Sequence, residues 1–278
     1  MDTMNNDLDA LFGDFTSYKL TENTTVISYR NNTQFIYLLE GEKQALLIDT
    51  GWGCDSLKEL VNSLTDKPLL VINTHYHSDH AGGNYLFDEV MVSDNYGADS
   101  LAYKKGPYSY LSNYLHYKIK RVNDMEIELG GRHLYIIKLK PAHSNSSLFI
   151  YDETNKMLFC GDEIDAQNIV MFDTSEDDMN TFHLQTILSN YAYNLNLVKD
   201  LTIDFLLPSH NSTPISRDYL DDLREMAEQG FTPSMERLPF AAADGEESSF
   251  ASQLCTVHYK KASMIVMKEQ LDALFEEK

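Results

Sequence analysis

The stretch Thr74-His75-Tyr76-His77-Ser78-Asp79-His80-Ala81-Gly82-Gly83 constrains this chain more than any other. Its imidazoles and carboxylate crowd together directly after the apolar run Leu69-Leu70-Val71-Ile72, which follows Pro68 and reads as a buried strand. Alternate side chains on extended backbone share a face, so His75 and His77 can grip one ion together. Asp79 and His80 come after the chain has turned and can face a second ion beside the first. Gly82-Gly83 lets the backbone pass close to such a site, and the segment after it is suited to open a helix. Divalent-metal ligand types at this spacing are expected at Zn sites and seldom elsewhere. If the reading is right, further ligands stand at the ends of later strands.

The chain before the cluster opens as an antiparallel meander. Residues 26–29, 34–40 and 44–49 are strand-like and are separated by Asn31-Asn32 and Gly41-Glu42-Lys43, which are turn chemistry. Asp49-Thr50-Gly51 closes the third strand, and Asp55 can cap a helix in which Leu57, Leu60, Val61 and Leu64 repeat at helical spacing. After the cluster, strands at 126–129 and 134–139 run into Pro141-Ala142-His143-Ser144. A hairpin of 147–151 and 156–160 around Asp152-Glu153-Thr154-Asn155 ends in Gly161-Asp162. Leu184, Ile187, Leu188, Tyr191, Leu195 and Val198 mark a long amphipathic helix, and Phe205-Leu206-Leu207-Pro208 then leads to Ser209-His210-Asn211. His143, Asp162 and His210 are the strand-exit ligands that the first cluster calls for.

Three regions are less regular. Leu8, Leu11, Phe12 and Phe15 share one helical face, so residues 1–17 are read as an N-terminal helix. Residues 96–121 form a tyrosine-rich insertion holding Tyr96, Tyr103, Tyr108, Tyr110, Tyr114 and Tyr117 with Lys104, Lys105, Lys118, Lys120 and Arg121. An aromatic lid with cations suits an apolar, partly anionic substrate, and a packed excursion or subunit contact is the equal reading. Residues 213–278 form a C-terminal extension: a helix from a Ser216 cap to Gly230, a long loop over 231–249, a strand at Cys255, Val257 and Tyr259, and a closing helix at Leu271, Leu274 and Phe275. That tail suits either a cover for the site or a homodimer contact. His133, His183 and His258 have no motif around them, and His116 lies in the tyrosine-rich segment.

Composition excludes several partners. A chain of 278 residues with 43% hydrophobic content can bury a large core without staples. A formal net charge of -21 argues against a nucleic-acid backbone or an anionic membrane, both of which need basic surface. Cys54, Cys160 and Cys255 are odd in number and widely spaced, which suits reduced thiols rather than a disulfide framework. The acidic start has no apolar leader core and no run approaches membrane-spanning length, so the expectation is a soluble cytoplasmic protein with a small-molecule substrate.

The order His-x-His-x-Asp-His after a strand, then Pro-x-His-Ser, Gly-Asp and Ser-His, with Asp49-Thr50-Gly51 ahead of them, resembles the metallo-β-lactamase-fold hydrolases across residues 18–212. The resemblance implies an α/β fold: a four-layer αββα sandwich with metals at one edge between two sheets. By position, it assigns His75, His77 and His143 to a first metal, Asp79, His80 and His210 to a second, and Asp162 to a bridge, with Asp79 and Asp162 as the catalytic carboxylates. The cofactor implied is two divalent ions, best Zn²⁺ by ligand type, with Fe or Mn admitted by a sulfur-free set. Such a pair stabilises a bridging hydroxide near neutral pH as the nucleophile. Asp49 is expected to hold a ligand imidazole in its tautomer.

The likeness narrows within the superfamily. β-Lactamases with a cysteine ligand lack an aspartate at the bridging position, which disfavours antibiotic hydrolysis. Quorum-quenching lactonases carry a tyrosine near the place of Asp165. Glyoxalase II proteins share the run from Thr74 through Asn84, yet show Gly-His-Thr-x-Gly where this chain has Ala142-His143-Ser144-Asn145-Ser146. The expected activity is hydrolysis of a small ester, thioester or lactone, with Tyr108, Tyr114, His116 and Asp165 as candidate substrate contacts. A phosphodiesterase on the same site and an iron oxygenase of the persulfide dioxygenase type are the alternatives.

Overall fold

Continuous apolar runs in the first half of the chain produce strands buried on both faces. The computed structural model describes residues 15–30, 32–95, 117–171, 184–240 and 251–276. Strands β1 (Phe15–Thr21), β2 (Thr24–Tyr29), β3 (Gln34–Glu40) and β4 (Ala45–Ile48) pair antiparallel in chain order. From β4 the pairing becomes parallel through β5 (Leu69–Ile72), β6 (Glu89–Ser93) and β7 (Lys118–Val122), completing a seven-stranded sheet. Along β3 the side chains divide by parity. Phe35, Tyr37 and Leu39 point into the core between the sheets, while Ile36 and Leu38 pack outward with Leu57 and Val61 of helix α1 (Asp55–Leu64).

The second sheet has the order β13-β11-β10-β9-β8, built from β8 (Met125–Glu128), β9 (His133–Lys138), β10 (Leu148–Asp152), β11 (Met157–Gly161) and β13 (Phe205–Pro208). Leu134, Ile136, Leu148, Ile150, Met157 and Phe159 face the first sheet across the core. Two helices, α3 (Leu184–Val198) and α4 (Asp218–Gln229), cover the other face with Leu184, Ile187, Leu188, Tyr191, Leu220, Leu223 and Met226. Between α1 and α3 in the chain lies the one-turn helix α2 (Ser78–Ala81). The layers are therefore α, β, β and α.

A third, four-stranded sheet joins the tail to the body. Its order is β12-β16-β15-β14, with β12 (Asn168–Val170) parallel to β16 (Ala262–Met267), and β15 (Leu254–Tyr259) and β14 (Glu236–Pro239) antiparallel beyond it. Val257, Met264 and Val266 enter the same apolar cluster as α3 and α4, and helix α5 (Lys268–Glu276) adds Leu271.

The structure corrects several boundaries. Phe15 opens β1 and pairs with Tyr29, so residues 15–17 belong to a strand and not to an N-terminal helix; ladder bonds to β2 outweigh the helical spacing of Phe15. The rest of that segment lies outside the described residues. Lys118 to Arg121 form the edge of the first sheet beside β6, rather than the end of an insertion, and their continuous exposure is what an edge strand tolerates. Residues 236–239, read as loop, form β14. Asp55 is the first helical residue of α1, with Cys54 in the cap position.

Candidate metal centre

The parallel strands β4 and β5, and β11 and β13, all end at one edge of the sandwich, where loops from both sheets meet. The backbone there is closely packed. Leu148 N–H donates to Thr74 O at 2.8 Å across the two sheets. Gly161 adopts φ +54, and a Cβ on it would lie 2.9 Å from Thr74 Cβ and Oγ1. Gly83 passes so close to Thr50 that a Cβ would lie 2.3 Å from its carbonyl oxygen. These approaches bring the strand-exit ligands into one cluster.

Two donor groups form there. His75, His77, His143 and Asp162 make the first, Asp79, His80, Asp162 and His210 the second, and within each the ligand atoms lie within 4.8 Å of one another. In the first group His77 Nδ1 is 2.9 Å from His75 Nε2 and 3.1 Å from His143 Nε2, and Asp162 Oδ2 is 3.5 Å from His143 Nε2. In the second, Asp79 Oδ2 is 3.1 Å from His210 Nε2 and 3.3 Å from His80 Nε2, and Asp162 Oδ1 is 3.4 Å from His80 Nε2.

The outward nitrogens of these rings decide what the inward ones offer. His143 Nδ1–H donates to Val170 O at 2.8 Å, and His210 Nδ1–H donates to Thr33 O at 2.8 Å. His80 Nδ1–H donates to Asp49 Oδ2 at 2.9 Å. His75 Nδ1 is 3.1 Å from Thr74 Oγ1, which donates to the same Asp49 oxygen at 2.8 Å. Asp49 therefore serves one imidazole from each group, and it sits in the left-handed region at φ 67. With Nδ1 carrying the proton, Nε2 of His75 and His143 presents a lone pair toward His77. A buried point where these imidazole lone pairs face Asp162 Oδ2, 3.5 Å from His143 Nε2 and 3.9 Å from His75 Nε2, suits a cation.

Electrostatics divide the cluster. Burial, reinforced by His80 and His77, drives His75 well below the usual histidine range, and burial with His143 brings His77 down to about 3. Burial opposes charge on His80 and His210, but Asp79 and Asp162 outweigh it and raise both rings well above their ordinary value. Burial likewise opposes ionisation of Asp79, and His80 and His210 overcome it. The first group thus favours neutral rings that offer lone pairs, and in the second the two carboxylates favour positive charge beside them.

Other sequence candidates separate from the cluster. Asp165 is buried and accepts Gln167 N–H at 2.8 Å and Asn211 Nδ2–H at 2.7 Å; it joins neither donor group, and burial pushes its carboxyl up to about 6. Cys160 is buried in the apolar core, and burial raises its thiol well above the ordinary value. His133 lies between Glu126 and Glu153, away from the cluster. Tyr108, Tyr114 and His116 lie outside the described residues.

Sequence reading missed the supports of the ligands. Glu163 is buried, accepts His143 N–H at 3.3 Å, and is raised to about 7 by burial. Its signal was an acid beside Asp162 at the exit of an apolar strand. Gln34 donates to Asp79 O, and His80 O accepts Thr50 N–H at 2.8 Å and Asn73 Nδ2–H at 3.0 Å. The carbonyls of Thr33 and Val170 carried no signal, since every residue has one.

A sandwich of α, β, β and α layers with His and Asp side chains gathered at the sheet edge defines a class of metal-dependent hydrolases. The chain belongs to the metallo-beta-lactamase superfamily, whose profile matches residues 30–210, and it is a hydrolase. Among curated proteins it is similar to the acyl-coenzyme A thioesterase MBLAC2 of Homo sapiens and of Bos taurus, each 28% identical over 218 residues, covering 66% of this chain and 74% of the relative. Among solved structures it is similar to a metallo-beta-lactamase from Pontibacter korlensis, with a TM-score of 0.61 and 19% identity, covering 78% of this chain and 100% of that one. The DIM-1 metallo-beta-lactamase gives a TM-score of 0.57 at 15% identity, covering 78% and 99%. The structural likenesses concern the fold. Among the described residues no helix is long and apolar enough to cross a membrane.

Proposed function

We propose that this chain hydrolyses thioesters of the acyl-coenzyme A type at a dinuclear centre formed by its two donor groups. The observation that carries the reading is the sharing of Asp162 between the groups. His75, His77 and His143 would hold one ion, Asp79, His80 and His210 the other, and Asp162 both. A bound pair of divalent ions, best Zn²⁺ for an N/O set, supplies an activated water and polarises the acyl oxygen. Asp79 would accept a hydrogen bond from that water and orient it. The acyl carbon gains the water oxygen, the C–S bond breaks, and the thiol departs with a proton. The thioester assignment draws on the activity named for the relatives; the geometry itself serves any acyl bond.

The test pairs metal content with thiol release. Protein purified without added metal or chelator is measured by elemental mass spectrometry and assayed on acyl-coenzyme A with a thiol-reactive dye, beside Asp162→Ala. Two ions per chain and steady thiol release, both lost in the variant, are expected. Turnover confined to phosphodiesters, or one iron per chain unaffected by the substitution, refutes the reading.

A further inference from the structure

His143 differs from His80 and His210 in how the acceptor behind its ring is held. Its ring is fixed by Val170 O, and Val170 closes β12, a three-residue strand that among the described residues pairs with β16 alone. β16 lies beyond residue 210, where the profile match ends. The attachment is detailed. Asn168, Ile169 and Val170 register with Ser263, Met264 and Ile265, and Met171 N–H donates to Ile265 O at 3.0 Å. Ser263 Oγ sits 2.6 Å from Gln167 O and 2.7 Å from Asn168 Oδ1. Met264 and Val266 anchor the hairpin in the α3 and α4 core.

We infer that the β15–β16 hairpin is a positioning element of the first donor group, holding the Val170 carbonyl that sets the ring angle and tautomer of His143. The carbonyl accepts from Nδ1–H, which leaves Nε2 as the ligating lone pair. If β12 slips from β16, the acceptor is displaced and His143 can rotate or change tautomer. His80 and His210, held by Asp49 and Thr33 on the first sheet, are unaffected. The C-terminal module therefore tunes the affinity of one half of the centre.

This inference rests on the metal reading above but not on the substrate, so its test is metal binding. The chelator-stripped full chain is titrated with Zn²⁺ by calorimetry as wild type, Ser263→Thr and Ser263→Val, with His210→Ala marking the step that belongs to the second group. Threonine and valine have the same shape and differ in the hydroxyl. Ser263→Val is expected to weaken the first-group step about tenfold, the size typical of losing support behind a ligand, with the second step unchanged and Ser263→Thr like wild type. Equal weakening of both steps, or none in a folded Ser263→Val protein, overturns the inference. Two-bond nitrogen–proton spectra of histidine in the metal-free wild type test it without a variant: a His143 ring protonated on Nε2 overturns it as well.

Discussion

Replacing Asp152 with asparagine tests how the two sheets are fastened. Asp152 is fully buried, and its Oδ2 lies 2.8 Å from Arg132 Nε and 2.7 Å from Arg132 Nη2. The same guanidinium reaches Asn23 O at 2.5 Å and Thr24 Oγ1 at 2.8 Å on the first sheet. Arg132 is itself 1% exposed, so the amide would leave a buried cation without its hydrogen-bonded counter-charge. Removing one member of a buried pair costs about 3–5 kcal/mol. For 278 residues at an unfolding entropy of about 2 cal/mol/K per residue, the Tm falls by about 5–9 °C. The assay is thermal and urea unfolding of Asp152→Asn, Arg132→Met and the double variant. The double variant should be less destabilised than the sum of the singles, because neither charge is left alone. Asp152 stands at the end of β10 opposite Leu148, the residue that contacts Thr74, so metal content should be unchanged. A Tm drop under about 2 °C, or simple additivity, would refute the staple argument.

Other perturbations bear on the site and the surface. Gly161→Ala places a Cβ 2.9 Å from Thr74 at φ +54; about 1–2 kcal/mol of stability and part of the bound metal should be lost, and a variant with wild-type Tm and metal content would count against the packing described. His133 carries a raised pKa, small burial being outweighed by hydrogen bonds to Glu153 and Glu126. Because its folded value exceeds its unfolded one, its contribution is full below the unfolded pKa and disappears as pH rises through the folded value, so His133→Asn should lower Tm at about pH 5.5 and not at about pH 8.5. A deficit independent of pH would mean that packing, not charge, is lost. Cys160, buried and with its thiol pushed up, should resist iodoacetamide in the native protein and label on unfolding, as mass spectrometry of its peptide would show.

How far the fold was readable follows from periodicity and turn chemistry. The runs that became β3, β5, β10 and β13 were short and apolar on both faces, a length and composition that favour buried strands. The N-terminal segment misled because Phe15 fits a helical face as well as a strand end, and pairing with Tyr29 is a tertiary fact. β7 misled for a related reason: Lys118, Lys120 and Arg121 look like loop cations, and an edge strand accepts such residues. β14 is exposed throughout and ends in Pro239, so nothing in its composition marks it as a strand except the partner it finds in β15.

The candidate site divides along a different line. Metal ligands are mostly His, Cys, Asp or Glu, so residue type and strand-exit position were enough to pick out the seven residues that gather in the two donor groups. What orients them is not restricted in that way. Asp49 could be anticipated because a carboxylate side chain is a recognisable support, whereas Thr33 and Val170 act through carbonyl oxygens that any residue supplies. The second kind of support depends on where the backbone runs, and hence on pairing far along the chain: Val170 is placed by β16, nearly a hundred residues later. A ligand list can therefore be written from the region that the profile matches, while the affinity of that list depends on residues outside it. Two chains with the same seven ligands and different C-terminal modules should differ in how firmly the first ion is held and agree in the second.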